Sequence, residues 1–331
     1  MSSAAAVVSQ PAEEAAPPLA VELCGIPLAS PVVLLSGCVG FGEEYTRVDG
    51  FDNRDAGAIC LKGTTLDPRL GNPAHRVCET PCGMLNSIGL QNPGSREVID
   101  RILPALDFGE TRFFANIAGA SVGEYEELAR RFDDSPVDAI EINISCPNVE
   151  EGGLIFGNDP VLSARVVEAC RRATAKPLFT KLSPNQTDVA ENARLCIEAG
   201  TDGLAVVNTF VGMAIDVETG RPVIGAIRAG LSGPAIKPLA LHLVYEVHRV
   251  AAPHGVPIIG QGGIAGVDDA IEFLLAGASA VGIGTALFHD PLIGRRVNEG
   301  LAQWLARRGV GGVAQTAGSM RAAAADGGGA R

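Results

Sequence analysis

Residues 257–288 read PIIGQGGIAGVDDAIEFLLAGASAVGIGTALF. Two short apolar runs, PIIGQGG at 257–263 and AVGIGTA at 280–286, flank a segment at 267–276 whose apolar residues recur at helical spacing. Strand, amphipathic helix and strand in that order form a βαβ unit, which requires the two strands to be parallel. The same punctuation runs back through the chain. PVVLLSG at 31–37, AGAICLKG at 56–63, RFFANIAG at 112–119 and AIEINISC at 139–146 read as strands, as do PLFTKLS at 177–183 and GLAVVNT at 203–209. Further amphipathic helices are expected at 160–174, 187–199 and 238–251. Near-continuous apolar strands alternating with helices imply a parallel sheet covered on both faces. Eight of them predict an α/β protein, a closed (β/α)8 or TIM barrel, with its active site at the C-terminal end of the strands. The alternative is an open doubly wound sheet, which wants a glycine fingerprint opening a helix after the first strand. SGCVGFG at 36–42 is glycine-rich but opens no evident helix.

The chain has 331 residues, enough for one large domain with a sizeable core. We expect a disordered lead-in at 1–19, a single barrel domain at 20–310 and a flexible tail at 311–331. A net charge of -12 argues against a nucleic-acid partner. No apolar stretch reaches the length of a membrane span, and the first residues lack the basic start and apolar core of a signal peptide, so a cytoplasmic protein is expected. The eight cysteines form no CxxC pair, which disfavours a zinc or iron–sulfur site, and no metal is expected.

The strand ends are unusual. They carry Lys62, Asn116, Asn143 followed by Cys146, Lys181, and Asn208 with Thr209, then Gly262–Gly263 and Gly284–Thr285. In a barrel all of these reach one rim. Two lysines, several amides and a thiol on one rim are hard to explain as packing, because a buried unpaired lysine is costly. Something anionic or polar is expected there. The glycines after the last two strands suit a phosphate, since they let main-chain N–H groups approach its oxygens. A tight turn would also use glycine, and a lone cysteine is more often a small buried hydrophobe than a base. A flavin-free lyase or isomerase acting on a sugar phosphate would use the same phosphate loops.

Longer stretches carry a resemblance. KGTTLDPRLGNPAHRVCETPCGMLNSIGLQNPG at 62–94, EINISCPNVEEGG at 141–153, KLSPNQTD at 181–188, VNTFVGMAID at 207–216 and LSGPAIKP at 231–238 resemble the dihydroorotate dehydrogenases, as does 262–288. The match runs in order from about residue 20 to about 308. NSIGLQNPG, VGMAID and a cysteine rather than a serine at 146 are similar to the NAD-dependent class 1B catalytic subunits. The resemblance implies oxidation of dihydroorotate to orotate in pyrimidine biosynthesis, with FMN as cofactor and Cys146 as general base. It implies substrate contacts from Lys62, Asn86, Ser87, Asn143, Asn148, Asn208 and Thr209, with the Gly89–Leu90 main chain. It implies FMN contacts from Ser36, Gly37, Lys62, Asn116 and Asn143, with Lys181 at the flavin N1–O2 edge. Val207 and Gly233 complete the FMN site, with Gly262, Gly263, Gly284 and Thr285 at the phosphate.

The segment VEEGGLIFGND at 149–159 would act as a lid with glycine hinges. The resemblance also implies a homodimer joined to an electron-transfer subunit carrying FAD and [2Fe–2S], a heterotetramer. A related flavin barrel acting on another reduced pyrimidine is a second reading. Four positions depart from the usual pattern of these relatives: Cys38 where threonine is usual, Cys78 and Cys82 where small residues are, and Gln261 where methionine is. Cys24, Cys60, Cys170 and Cys196 are expected to be inert core or surface thiols, and Lys237 and Arg69 solvated charges.

Overall fold

The computed structural model describes residues 18–144 and 157–321. Eight parallel strands close into a barrel in chain order. Counting barrel strands only, they are β1 (Val32–Leu34), β2 (Ala58–Cys60), β3 (Arg112–Ile117), β4 (Ala139–Asn143), β5 (Leu178–Lys181), β6 (Gly203–Val206), β7 (Ile258–Gln261) and β8 (Ala280–Ile283). Closure is made where β8 pairs with β1, Ile283 opposite Leu34. The longer helices among the described residues are α1 (Val122–Asp133), α2 (Pro160–Ala173), α3 (Val189–Glu198), α4 (Lys237–Ala251), α5 (Val267–Ala276) and α6 (Ile293–Arg308). Ser121, Asp159 and Asp188 cap α1, α2 and α3 by accepting main-chain N–H groups of the first turn. The barrel expected from the sequence is therefore the fold, and the eight expected strands are its staves.

Alternation along the strands sorts the interior. Phe114 and Phe179 stack at 5.3 Å between ring centroids low in the barrel. Two residues further along the same strands, on the same inward face, stand Asn116 and Lys181. The polar layer thus sits directly above an aromatic one. The hairpin Val21–Leu23 with Ile26–Leu28 lies at the other end, where Cys24 Sγ approaches Gly203 at the start of β6.

Three features differ from the sequence expectation. The loops after β2 and β6 build an antiparallel sheet of Val77–Thr80, Gly83–Asn86, Ala229–Ser232 and Phe210–Gly212. The two short runs at 77–86 pair across the turn at Pro81–Cys82. Lys237 is not a solvated charge, because its Nζ lies 2.7 Å from Asp269 and 3.0 Å from Glu272 on α5. Finally, residues 311–321 are docked rather than free. Val313 and Thr316 are buried, the Val313 N–H donates to Pro18 O and the Gly318 N–H donates to Leu274 O. An apolar side chain and paired main-chain donors hold this segment on the barrel, so the domain extends past 310.

Candidate active site

A cavity of about 750 Å³ opens at the C-terminal end of the barrel. Its size suits a cofactor with a small substrate. Lys62, Asn143, Lys181, Asn208 and Thr209 reach it from the ends of β2, β4, β5 and β6. Asn86, Gly89 and Leu90 reach it from the antiparallel sheet and the turn that follows. Gly89 and Leu90 both take positive φ, +73° and +55°, so this turn is held in the left-handed region. Ser36, Gly37, Val207 and Gly233 complete the wall, and Gly262, Gly263, Gly284 and Thr285 line its far end.

Two expected site residues stand elsewhere. Ser87 is buried, and both its Oγ and its carbonyl accept from the Asn72 amide. Asn116 is fully buried beneath the cavity floor, where its Nδ2 donates to Glu141 Oε1 at 2.5 Å. Cys146, Asn148 and most of the expected lid lie outside the described residues.

Sequence reading passed over several residues. Glu141 sits in the apolar-looking run AIEIN, yet it is buried 3.5 Å from Lys181 Nζ. The lysine therefore has an internal partner, and an anionic ligand is not needed to explain it. Burial alone would push the Lys181 ammonium toward losing its proton; Glu141 above all, with Cys60 and Cys38, holds its pKa above the usual lysine value. Cys60 is bound into this layer too, donating its S–H to Glu141 Oε1 at 3.2 Å. Tyr125 on α1 donates to the Asn143 carbonyl at 2.8 Å and fixes the end of β4. Ser232 accepts from Thr285 Oγ1 at 2.8 Å and joins the antiparallel sheet to the β8 loop. Only the alternation of AIEIN, which turns Glu141 to the same face as Asn143, could have signalled any of these.

The wall fits a flavin mononucleotide on structural grounds. A Cβ at Gly263 would stand 2.8 Å from both Gly233 O and Lys237 N, and Gly262 and Gly263 take φ of +130° and +85°. Only glycine serves there, and it leaves main-chain N–H groups bare for an anion. Gln261 Oε1 is buried on the wall without a hydrogen-bond partner, which leaves an acceptor for a ligand hydroxyl or N–H. Cys38, also on the wall, has its thiol pushed up to about 11 by burial, against the pull of Lys181 and Lys62, so it stays neutral.

A (β/α)8 barrel with glycine-lined loops after β7 and β8, and lysines and amides over its mouth, fits the class of phosphate-anchored flavin oxidoreductases. The family model described as dihydroorotate dehydrogenase matches residues 18–305. The dihydroorotate dehydrogenase B (NAD(+)) catalytic subunit of Trichlorobacter lovleyi is 49% identical over 305 residues, covering 92% of this chain and 99% of that protein. Proteins of the same description from Pelobacter propionicus and Geobacillus kaustophilus are 48% and 47% identical, over 92% and 91% of this chain and 99% and 95% of their own. The chain belongs to the dihydroorotate dehydrogenase family.

Proposed function

We propose that this cavity oxidises (S)-dihydroorotate to orotate in pyrimidine biosynthesis, with Cys146 as general base. The observation that carries the reading is the convergence of Lys62, Lys181, Asn86, Asn143, Asn208 and Thr209 on one cavity with a glycine cradle at its end. FMN, held by this wall, would supply the acceptor for the hydride from C6 of the substrate. Cys146 takes the proton from C5, so a C5=C6 double bond forms as one proton and one hydride depart. Lys62 neutralises the substrate carboxylate. The amides of Asn86, Asn143, Asn148 and Asn208, with the Thr209 hydroxyl, offer donors and acceptors to the ring carbonyls and N–H groups. Lys181, on the cavity wall, would offer a fixed cation that favours the more negative, reduced form of the cofactor. The main chain at Gly262, Gly263, Gly284 and Thr285 would hold the phosphate.

The curated relatives are described as catalytic subunits that use NAD(+). We propose that this chain is likewise a catalytic subunit and, from the sequence resemblance, that a homodimer of it joins a subunit carrying FAD and [2Fe–2S] in a heterotetramer that passes electrons to NAD in the cytoplasm. Among the described residues no helix is long and apolar enough to cross a membrane.

The test is anaerobic. Mixing the purified protein with dihydroorotate should bleach its flavin absorbance rapidly. A yellow protein that stays oxidised would overturn the substrate assignment. Binding of orotate with no binding of uracil separates this reading from one on an uncharged reduced pyrimidine.

A further inference from the structure

Glu141 is buried on the inward face of β4, below the cavity and outside the groups assigned to substrate or cofactor. A carboxylate in that position is costly unless it is paired and hydrogen-bonded. A single oxygen, Oε1, meets Asn116 Nδ2 at 2.5 Å, Cys60 Sγ at 3.2 Å and Lys181 Nζ at 3.5 Å. All three partners are themselves buried.

The first contact has a consequence further up. A carboxylate only accepts hydrogen bonds, so Asn116 must turn its NH2 toward Glu141 and its oxygen away. That oxygen faces Asn143, whose Nδ2 stands 3.5 Å off, at the outer limit of a hydrogen bond. Asn143 then presents its own oxygen to Asn208 Nδ2 at 3.3 Å. The Asn208 oxygen accepts the Thr209 N–H at 2.8 Å. One polarity therefore runs from the buried carboxylate to three residues of the cavity wall. The third contact matters for charge. Glu141 and Lys181 together are neutral, and either one alone would leave a full charge under the floor, where screening by solvent is weak.

We infer that Glu141 is a positioning residue with two tasks, to orient the amide relay of Asn116, Asn143 and Asn208 toward the substrate ring and to balance the Lys181 charge at the base of the cofactor cavity. The inference rests on the function proposed above.

The experiment measures the two-electron potential of bound FMN, and orotate affinity from the flavin spectrum, in four proteins: wild type, Glu141→Gln, Lys181→Met and the double variant. Glu141→Gln leaves an unbalanced cation and should favour flavin reduction by about tenfold, a rise of about 30 mV for a two-electron couple. Lys181→Met should shift the potential the opposite way, and the double variant should return near wild type. Orotate should bind Glu141→Gln about tenfold more weakly, because a glutamine accepts either polarity of the relay. A residue that merely packs would not give shifts of opposite sign that cancel. If Glu141→Gln alone does not fold, the step from Lys181→Met to the double variant reads the same charge and should show the same rise. Equal potentials across flavin-loaded proteins would overturn this inference and leave the proposed function standing. A wild-type chain that takes up no FMN would overturn both.

Discussion

Gln261 grips Val207 from both sides. Its main-chain carbonyl accepts the Val207 N–H at 3.0 Å, and its side-chain Nε2 donates to the Val207 carbonyl at 3.0 Å. Both residues line the cavity, at the ends of β7 and β6. Gln261→Leu removes the donor and leaves a buried carbonyl unpaired. The expected cost is about 1–3 kcal/mol of stability, and FMN should be held less tightly, because the acceptor at Oε1 goes too. Thermal melts and equilibrium FMN titration check this; unchanged values in both would show that the grip does nothing for the wall.

Removing the proposed base should separate binding from chemistry. Cys146→Ala is expected to keep FMN and orotate binding while slowing flavin reduction by about 10²–10⁴-fold. Stopped-flow absorbance under nitrogen measures the rate. A rate equal to wild type would place the base on another residue.

The glycine loop after β7 allows a backbone test. Gly263→Ala puts a Cβ 2.8 Å from Gly233 O and Lys237 N at a φ of +85°. Main-chain atoms cannot swing aside as a flexible side chain would, and a left-handed non-glycine residue costs about 1–2 kcal/mol by itself. The variant should be purified largely without FMN. Retention of a full complement of flavin would show that the loop tolerates the shift and is not the phosphate cradle.

Several thiols should stabilise the protein only while protonated. Burial pushes Cys24, Cys170 and Cys196 up to about 12, and Cys38 up to about 11, from an ordinary value of 9.0. A group whose pKa is raised in the folded state binds its proton more tightly there than in the unfolded chain. The stability it contributes is fully present below pH 9 and is lost as pH rises through 11 to 12. Melting temperature should therefore fall between pH 9 and 11, while at pH 7.5 a thiol reagent should modify exposed Cys82 well before these four. Rapid labelling of Cys170 or Cys196 in the folded protein would contradict their burial.

Electron transfer to NAD should need the second subunit. The eight cysteines show no spacing for an iron–sulfur cluster, and the relatives are described as catalytic subunits. The isolated chain is expected to reduce artificial acceptors with dihydroorotate but not NAD. Stoichiometric NAD reduction by this chain alone would remove the need for a partner.

The barrel was legible because its signals are local. Each β-run carries its own apolar pattern, and four of the helices carry theirs, so β1 through β8 could be read one at a time. The polar residues at the strand ends could be placed on one rim for the same reason, since a parallel barrel brings every strand end to one face. The antiparallel sheet over the mouth was not legible. Its strands are three or four residues long, half-exposed, and pair Gly83–Asn86 with Ala229–Ser232 from a distant part of the chain.

What the sequence determined by itself was the list of strands, the rim residues and the family. The tertiary structure decided which of those groups meet. Alternation turns Glu141 inward, but only the parallel pairing of β4 with β3 and β5 sets it against Asn116 and Lys181. The tertiary structure likewise sinks Asn116 below the floor, pairs Lys237 with α5 and docks the segment at 311–321. The physical reason is range. A strand's period is written in neighbouring residues, whereas the partner of a buried charge is chosen by whichever strands the sheet places side by side, and in which register.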